Sequence, residues 1–298
     1  MLKQTKSLVV SIIGKPNAGK STLLNCLVGQ KVSIVTHKVQ TTRNVIRGIL
    51  TEDDIQIVFI DSPGIFEAKR RLERSMVRAA WSSVVGSDLV IIIIDINIKF
   101  DDEIKQIIER IISQKLDFII ILNKIDIQSH NIEKNIEFIK ETYKSDKIFQ
   151  ISAKNHNGVD LLLGHLKAKA YNSEFLYDED DITNASSKFI AAEITREKLF
   201  LNLEEEIPYR LTVDTELWKE KQDGSVEIRQ VIIVTRETYK TIILGRNGSK
   251  IKIIGTEARK EIDEALGIKS HLFLFVKVRK DWEDNPMIYK DLGLKFVE

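Results

Sequence analysis

The chain has 298 residues, of which 43% are hydrophobic and 30% are charged, and this composition excludes extended disorder. Its 45 basic and 44 acidic residues nearly cancel, so any attraction to nucleic acid or acidic lipid must be local. The length predicts about two domains.

Cysteine usage and the N-terminal sequence favour a protein that stays in the reducing cytoplasm. The single cysteine, Cys26, cannot form an internal disulfide, and no charged-then-apolar leader is present. The longest apolar run, residues 89–94, lies between two aspartates and is far shorter than the roughly 18 residues of a membrane helix. We expect a buried strand there.

From residue 8 to about residue 170, short β-branched runs alternate with amphipathic stretches of helical length. Continuous apolar runs are typical of parallel strands that are covered on both faces. The pattern therefore predicts an α/β domain with a doubly wound, mostly parallel sheet. The predicted strands are residues 8–13, 55–60, 89–94, 118–122 and 148–151, with helices at 22–28 and 68–85.

A polar, acidic stretch then separates this domain from a second one. We predict a first domain at 1–172, a linker at 173–187 and a second domain at 188–298. The second domain has the predicted order α, ββ, αα, β, which indicates a smaller α+β fold. Its predicted elements are a helix at 188–202, strands at 210–219 and 226–235, helical pattern on both sides of residue 245 and as far as 265, and a strand at 272–279.

Directly after the first strand, residues 14–21 have the sequence GKPNAGKS, which fits the phosphate-binding pattern GxxxxGK[ST]. Glycines let such a loop wrap closely around phosphates, and the helix N-terminus attracts their charge. Lys20 is expected to reach the β and γ oxygens, and Ser21 to hold Mg²⁺. The loop residues expected to contact GTP are Gly14, Lys15, Pro16, Asn17, Ala18, Gly19, Lys20, Ser21 and Thr22.

A second loop, Asp61-Ser62-Pro63-Gly64, follows the strand at 55–60, at the sheet edge where ligands of such folds bind. The carboxylate of Asp61 is expected to support Mg²⁺ through water. The N–H of Gly64 is expected to contact the γ-phosphate and to sense its loss. All four residues are predicted to lie at the GTP site.

Two further loops predict selectivity for guanine. Asp126, in Asn123-Lys124-Ile125-Asp126, can accept hydrogen bonds from the N1–H and the exocyclic amine of guanine, a pair of donors that adenine lacks. The Ala153 N–H, in Ser152-Ala153-Lys154, is expected to meet the guanine oxygen. The residues predicted to bind the base are Asn123, Lys124, Asp126, Ser152, Ala153 and Lys154.

Through these loops and the segment Gln40-Thr41-Thr42-Arg43, residues 8–170 resemble the translation-factor-related P-loop GTPases. The resemblance implies a switch threonine that completes the Mg²⁺ shell when GTP is bound. We favour Thr42 and keep Thr41 as the alternative. For Arg43 we favour a surface role over that of an arginine finger.

The resemblance also bears on the rate of hydrolysis. Ile65 stands where Ras-like relatives carry a water-orienting glutamine, which predicts slow intrinsic turnover. Related GTPases with asparagine at the position of Asn17 bind K⁺, so we hypothesise K⁺-stimulated hydrolysis, with a purely structural role of Asn17 in the loop as an equal alternative. The residues predicted to act in catalysis are Lys20, Thr42, Gly64 and Asn17.

The second domain contains a GxxG loop, Gly245-Arg246-Asn247-Gly248, with helical pattern on both sides, and it resembles the type II KH module. Residues 236–260 carry seven basic side chains against two acidic ones, which indicates a local footprint for phosphates. KH grooves mostly bind unpaired bases, so we expect single-stranded RNA. The predicted RNA-binding residues are Gly245, Arg246, Asn247, Gly248, Ser249, Lys250, Lys252 and Arg259.

A GTPase domain followed directly by a type II KH domain resembles the Era family of bacterial ribosome-assembly GTPases, over essentially the whole chain. The resemblance implies that the chain binds the 3′ end of 16S rRNA in the maturing 30S subunit, and that any membrane contact is at most peripheral, at the inner membrane. We expect a monomer. Two alternatives remain open at this point. One is a membrane-associated signalling GTPase whose C-terminal domain binds a protein, and the other is an RNA-binding module with a decayed nucleotide site.

Overall fold

The computed structural model describes residues 4–127, 132–143 and 147–297. They group into two compact units that do not follow chain order. Unit 1 contains the described residues up to Ser33, Thr42–Asn184 and those from Gly293 onward, and unit 2 contains Ile34–Thr41 and Ala185–Leu292. No described helix is long and apolar enough to cross a membrane.

Unit 1 is built on a sheet with the strand order β2-β3-β1-β4-β5-β6, in which β2 alone on that path runs antiparallel to its neighbour. This confirms the predicted α/β class and the mostly parallel sheet. The strands are β1 Lys6–Ile13, β2 Ile46–Glu52, β3 Ile55–Asp61, β4 Leu89–Asp95, β5 Phe118–Asn123 and β6 Ile148–Ile151. The helices are α1 Lys20–Val28, α2 Arg71–Val84, α3 Asp102–Ser113, α4 Ile132–Tyr143 and α5 Val159–Lys169.

Strand β2 was not predicted, because its sequence IRGILTE places an arginine and a glycine in the middle of a short apolar pattern. Gly48 is required there by packing. A Cβ at this position would lie 2.6 Å from Leu24 and 2.7 Å from Val28, so its absence allows α1 to lie directly on the strand. Gly48 therefore makes the packing of α1 on the edge strand possible, and the same glycine weakens the sequence pattern that would predict a strand.

The beginning of the predicted linker pairs with unit 1. Strand β7, Tyr171–Asn172, runs antiparallel to β1. The fully buried side chain of Gln56 accepts hydrogen bonds from the Leu176 and Tyr177 N–H groups at 2.8 and 3.0 Å and donates to the Tyr177 carbonyl. Residues as far as 184 group with unit 1 for this reason, whereas the linker was predicted to begin at 173.

Unit 2 has the predicted order α, ββ, αα, β, and its elements are α6 Ser187–Asn202, β8 Leu211–Glu220, β9 Val226–Val234, α7 Glu237–Leu244, α8 Ser249–Leu266 and β10 Ser270–Val278. Its sheet has the order β10-β9-β8, in which β8 and β9 form an antiparallel hairpin and β10 runs parallel to β9. The apolar core lies between one face of this sheet and the three helices. A short helix, α9 Pro286–Asp291, follows the last strand and was not predicted.

Candidate functional site

The phosphate loop lies between the end of β1 and the start of α1. Gly14 has φ 156°, and a Cβ there would lie 2.3 Å from the Ile93 carbonyl oxygen of β4. Gly19 has φ 101°, and a Cβ there would lie 2.1 Å from the side-chain nitrogen of Asn123. Both positions thus require glycine because a side chain would clash with residues of neighbouring strands. This reason adds to the predicted one, the close approach of the loop to phosphates.

The ammonium group of Lys20 is buried inside this loop. It donates to the Gly14 carbonyl at 3.2 Å and to the Lys15 carbonyl at 2.9 Å. Burial lowers the pKa of Lys20 to about 8, although the charge of Asp61 opposes this shift. An anionic phosphate in the loop would supply the countercharge that a buried ammonium lacks.

Ser21, Thr42 and Asp61 bring three oxygen donors together. The Ser21 hydroxyl lies 2.6 Å from Asp61 Oδ2 and 2.8 Å from the Thr42 hydroxyl, and Ser33 donates to the same carboxylate oxygen at 3.0 Å. The hydroxyl of Thr41, the alternative threonine, donates to the Lys38 carbonyl at 2.7 Å. The structure therefore places Thr42, the favoured threonine, beside Ser21. Ser33 was missed, since no spacing rule points to it.

This cluster fits Mg²⁺, whose preferred ligands are hydroxyl and carboxylate oxygens. Asp61 is fully buried, and burial raises its pKa against the opposing hydrogen bonds of Ser21 and Ser33. Its second oxygen, Oδ1, is buried without a hydrogen-bond partner among the described residues. A buried carboxylate oxygen of this kind is stabilised by a cation. The described residues contain no separate cluster of metal-ligating side chains.

The loop at 61–64 packs against the phosphate loop. A Cβ on Gly64 would lie 2.7 Å from the backbone nitrogen of Pro16, and the Ile65 N–H donates to the Gly14 carbonyl at 3.0 Å. Ser62 donates to the Ile12 carbonyl at 3.1 Å. The Ile65 side chain packs against the apolar cluster of β4, α3 and β5. Gly64 thus lies at the phosphate loop, while the partly buried Ile65 packs against the core.

The loops predicted to hold the base meet at Asn123. Its side chain donates to the Ala18 carbonyl at 2.8 Å and accepts from the Ala153 N–H at 3.0 Å, so it joins the phosphate loop to the 152–154 loop. Ser152 donates to the exposed Asp126 carboxylate at 2.6 Å and lowers its pKa, which keeps the carboxylate an acceptor. The Ala153 N–H, expected at the guanine oxygen, is engaged by Asn123 in this structure.

Three charged or polar loop residues have roles that the sequence did not predict. Lys15 pairs with Asp101 at 2.6 Å and with Glu103, which ties the phosphate loop to the start of α3. Lys124 has φ 69° and pairs with Asp95 at 2.6 Å. Arg43 is only 2% exposed, so the expected surface role is wrong: the switch segment carries this side chain inward.

Asn17 is exposed and has φ 61°, a left-handed conformation that asparagine tolerates better than most residues. This conformation supports the structural interpretation of Asn17 and leaves the K⁺ hypothesis open. Pro16, Ala18 and Thr22 complete the loop and the first turn of α1, and Lys154 follows in the 152–154 loop.

The GxxG loop of unit 2 joins α7 to α8. Gly245, Asn247 and Gly248 all have positive φ, at 71°, 52° and 75°. A Cβ on Gly245 would lie 2.7 Å from the Cβ of Lys250, so the tight turn requires glycine at this position. The predicted contact residues Arg246, Asn247, Ser249, Lys252 and Arg259 are all exposed.

A groove of 380 Å³ lies between α8 and β10, next to this loop. Gly255 forms its narrow part, since a Cβ there would lie 3.4 Å from Leu274, and Lys252 and Arg259 line it. Phe273 and Phe275 also line it and are 47% and 49% exposed. Sequence reasoning missed these aromatic side chains, although the alternation of β10 places them opposite the core-facing residues.

Comparisons with known proteins match both parts of the chain. The family of the 50S ribosome-binding GTPases matches residues 9–124, and the KH domain family matches residues 206–283. The GTPase Era of Rickettsia conorii is 52% identical over 289 residues, which cover 97% of this chain and 85% of that protein. The GTPase Era of Brucella suis is 47% identical over 98% of this chain and 94% of that protein.

Two solved structures are similar along nearly the whole chain. The structure of an Aquifex aeolicus Era variant bound to GDP and aluminium fluoride has a TM-score of 0.91 and 36% identity, and covers 97% of this chain and 99% of that one. A structure of Era with MgGDPNP and nucleotides 1506–1542 of 16S ribosomal RNA has a TM-score of 0.90 and 35% identity, with the same coverage.

Proposed function

The chain belongs to the Era family of GTPases, and from this premise we propose that it is a GTP-driven switch that binds the 3′ end of 16S rRNA during assembly of the 30S subunit. The observation that carries the proposal is one chain with two sites of different chemistry. One is a phosphate loop with three clustered oxygen donors, and the other is a GxxG loop beside a groove with exposed aromatic side chains.

The reaction is attack of water on the γ-phosphorus of GTP, which breaks the bond to the β-phosphate oxygen and releases GDP and phosphate. We propose that Lys20 and the N-terminus of α1 stabilise the negative charge of the β- and γ-phosphate oxygens. The Gly64 N–H would donate to the γ-phosphate. Ser21, Thr42 and Asp61 would hold Mg²⁺, with Asp61 acting through water. Mg²⁺, when bound, neutralises charge on the transferred group.

Slow intrinsic turnover follows from the place of Ile65. Its apolar side chain packs against the core and offers no polar group to orient the attacking water. We propose that K⁺ near Asn17 supplies part of the missing charge stabilisation. Hydrolysis in KCl and in NaCl at equal ionic strength tests this step, and equal rates would leave Asn17 with its structural role only.

RNA binding rests on the loop between α7 and α8. Replacing Gly245 and Gly248 with aspartate puts side chains where positive φ and the close contact with Lys250 leave little room, and adds negative charge where phosphates would lie. We expect RNA affinity measured by fluorescence anisotropy to be lost while GTP hydrolysis persists. Undiminished binding by this double variant would show that the loop does not clamp RNA.

The identity of the RNA is tested by crosslinking the protein, loaded with a GTP analogue, to RNA in cell extract. Reads concentrated at the 3′ end of 16S rRNA would support the assembly role. An absence of RNA crosslinks would favour the alternative, a membrane-associated signalling GTPase whose second domain binds a protein. We further propose that the protein acts as a monomer in the cytoplasm, with at most peripheral contact with the inner membrane.

A decayed nucleotide site is disfavoured by the intact geometry of the first unit. Lys20 is buried among carbonyl groups, and Ser21, Asp61 and Asp126 have the partners that the site needs. Titration with a fluorescent GTP analogue tests this directly. Failure of the wild-type chain to bind the analogue would overturn the proposed function.

A further inference from the structure

Helix α2 of unit 1 carries a row of arginines on one face. Arg71, Arg74 and Arg78 recur at intervals of three and four residues, which places their side chains on the same side of the helix. Arg74 and Arg78 are exposed, and neither forms a salt bridge with any residue that the structure describes. The GTP site and the GxxG loop use none of these three arginines.

The single carboxylate of α2 does not neutralise this row. Glu73 is 6% exposed, and its carboxylate accepts hydrogen bonds from the Lys69 and Arg70 N–H groups at 2.8 and 3.0 Å. It also pairs with the Arg70 side chain. Because this carboxylate caps the first turn of the helix, the charges of Arg74 and Arg78 face solvent.

Two aromatic rings support guanidinium groups at the ends of the row. The guanidinium carbon of Arg71 lies 4.9 Å from the centre of the Phe296 ring, and that of Arg110, on α3, lies 3.9 Å from the centre of the Trp81 ring. A guanidinium that stacks on a ring still directs N–H groups outward from its edge. The rings therefore orient arginines and are covered by them. We call Arg71, Arg74, Arg78 and Arg110 the arginine face.

The spacing of the arginine face suits a nucleic-acid backbone. From Arg71 to Arg78 the helix rises by about 10 Å, at about 1.5 Å per residue. One strand of a duplex advances by roughly 3 Å per phosphate, so about three phosphates fit along this length. Arginine matches phosphate better than lysine does, because its planar fork can donate two parallel hydrogen bonds. A row of phosphates is therefore a complementary partner.

The opposite side of α2 does not suit a membrane. Its apolar residues Leu72, Met76, Ala80 and Val84 are at most 7% exposed, because they are packed within unit 1. A helix that lies in a lipid interface has to bury such side chains among the acyl chains. Duplex RNA has no such requirement, since it hides its bases and presents its phosphates. The observations therefore favour duplex RNA over a lipid surface.

We propose that the arginine face binds the phosphate backbone of duplex RNA, as a second RNA contact that uses other residues than the GxxG loop. This inference rests on the proposed RNA-binding function and extends it to a second class of RNA structure. The loop and its groove bind unpaired bases, whereas the arginine face binds a helical segment. Contacts with phosphates carry no sequence information, so binding by this face is independent of the RNA sequence.

The double variant Arg74→Gln with Arg78→Gln, in the full-length chain, tests the inference. Glutamine keeps a high helix propensity and removes both charges. The probe is a blunt RNA duplex of about 20 base pairs, titrated by fluorescence anisotropy between about 50 and 200 mM KCl. We expect the slope of log affinity against log salt to become less steep by about 1.8, at about 0.9 for each lost phosphate contact. Over this salt range the wild-type affinity should fall about twelvefold more than that of the variant.

The matched control is Lys134→Gln with Lys140→Gln, which removes two charges from exposed positions of α4 in the same unit. It changes the net charge by the same amount and should leave the slope unchanged. Arg74→Lys with Arg78→Lys should restore most of the slope, because the slope counts neutralised phosphates. A merely structural role of the arginines would not give this rescue.

A single-stranded RNA probe separates this inference from the proposed function. The variant with aspartate at both Gly245 and Gly248 should lose the single strand and keep the duplex, and the glutamine variant at Arg74 and Arg78 should do the reverse. An unchanged duplex slope in the glutamine variant, or an equal loss in the α4 control, would overturn the inference. A loss of binding to phosphatidylglycerol vesicles alone, with duplex binding intact, would overturn it too. Wild-type binding to the single strand alongside any of these results would leave the proposed function intact.

Discussion

Raising the pH above 8 should weaken nucleotide binding, because Lys20 is then deprotonated and loses the positive charge that attracts the phosphates. Burial lowers the pKa of this lysine to about 8 in the nucleotide-free chain, from 10.5 for an exposed lysine. Phosphate charge in the loop is expected to restore the ordinary value. Since the bound form holds its proton more tightly than the free form, binding takes up a proton, and affinity falls as the pH rises through 8.

The size of the effect follows from these two pKa values. At pH 8.5 about three quarters of the free lysines are neutral, so binding should take up about 0.75 proton and affinity should be about fourfold lower than at pH 7. Below pH 7 the uptake should fall under about 0.1 proton. The same sign holds for folding: burial of the charged lysine destabilises the nucleotide-free chain most below pH 8, and this penalty is relieved as the pH rises toward 10.5.

Calorimetric titration with a GTP analogue, at fixed saturating Mg²⁺ in two buffers of different ionisation enthalpy, measures the uptake directly. Lys15→Met serves as the control. Pairing with Asp101 and Glu103 raises the pKa of Lys15, so this lysine stays protonated in both states and its loss should not alter proton uptake. A proton uptake near zero at pH 8.5 in wild-type protein would refute the conclusion that burial lowers the pKa of Lys20 in the nucleotide-free chain.

Four further substitutions have expected outcomes. Asp126→Asn replaces an acceptor of the guanine donors with a donor, so GTP affinity should fall by several orders of magnitude and xanthosine triphosphate should bind better than GTP in a competition assay. Phe273→Ala and Phe275→Ala should each weaken single-stranded RNA binding by about 1–3 kcal/mol in anisotropy titrations if the exposed rings stack on bases, and exposed Leu176→Ala is the neutral comparison. Gln56→Met removes a buried amide that serves Leu176 and Tyr177, so urea unfolding of unit 1 should show a loss of about 2–3 kcal/mol, and an unchanged midpoint would contradict the assigned hydrogen bonds.

Most of the strands and the nucleotide loops were predictable because their signals are local. Continuous apolar runs mark β4 and β5, and motif residues such as Lys20 and Asp126 sit directly at strand ends. The bounds of β6 agree with the prediction at both ends. The type II order of unit 2 was also predictable, because its helices and strands keep their own periods.

The missed features depend on partners that are distant in the chain. Strand β2 contains Gly48 because α1 lies on it, and Ser33 reaches Asp61 across 28 positions of sequence. Arg43 is buried although the sequence around it has no periodicity that would indicate burial. The hydrogen bonds of residues 34–41 with α6, within unit 2, join residues more than 150 positions apart, and no local pattern carries that information. Phe273 and Phe275 are different: their alternation was visible and was not used.

Pairing of residues 171–184 with unit 1 has a consequence for self-association. Strand β2 forms an edge of the sheet, and the Ile49 N–H donates to the Ile182 carbonyl at 2.8 Å while Thr183 donates to the Arg47 carbonyl at 2.7 Å. Without this cover, the strand would offer free N–H and C=O groups to any other extended chain. A GTPase domain truncated after residue 172 would keep its nucleotide loops but would expose the unpaired edge of β2. Residues 173–184 therefore protect the domain against aggregation.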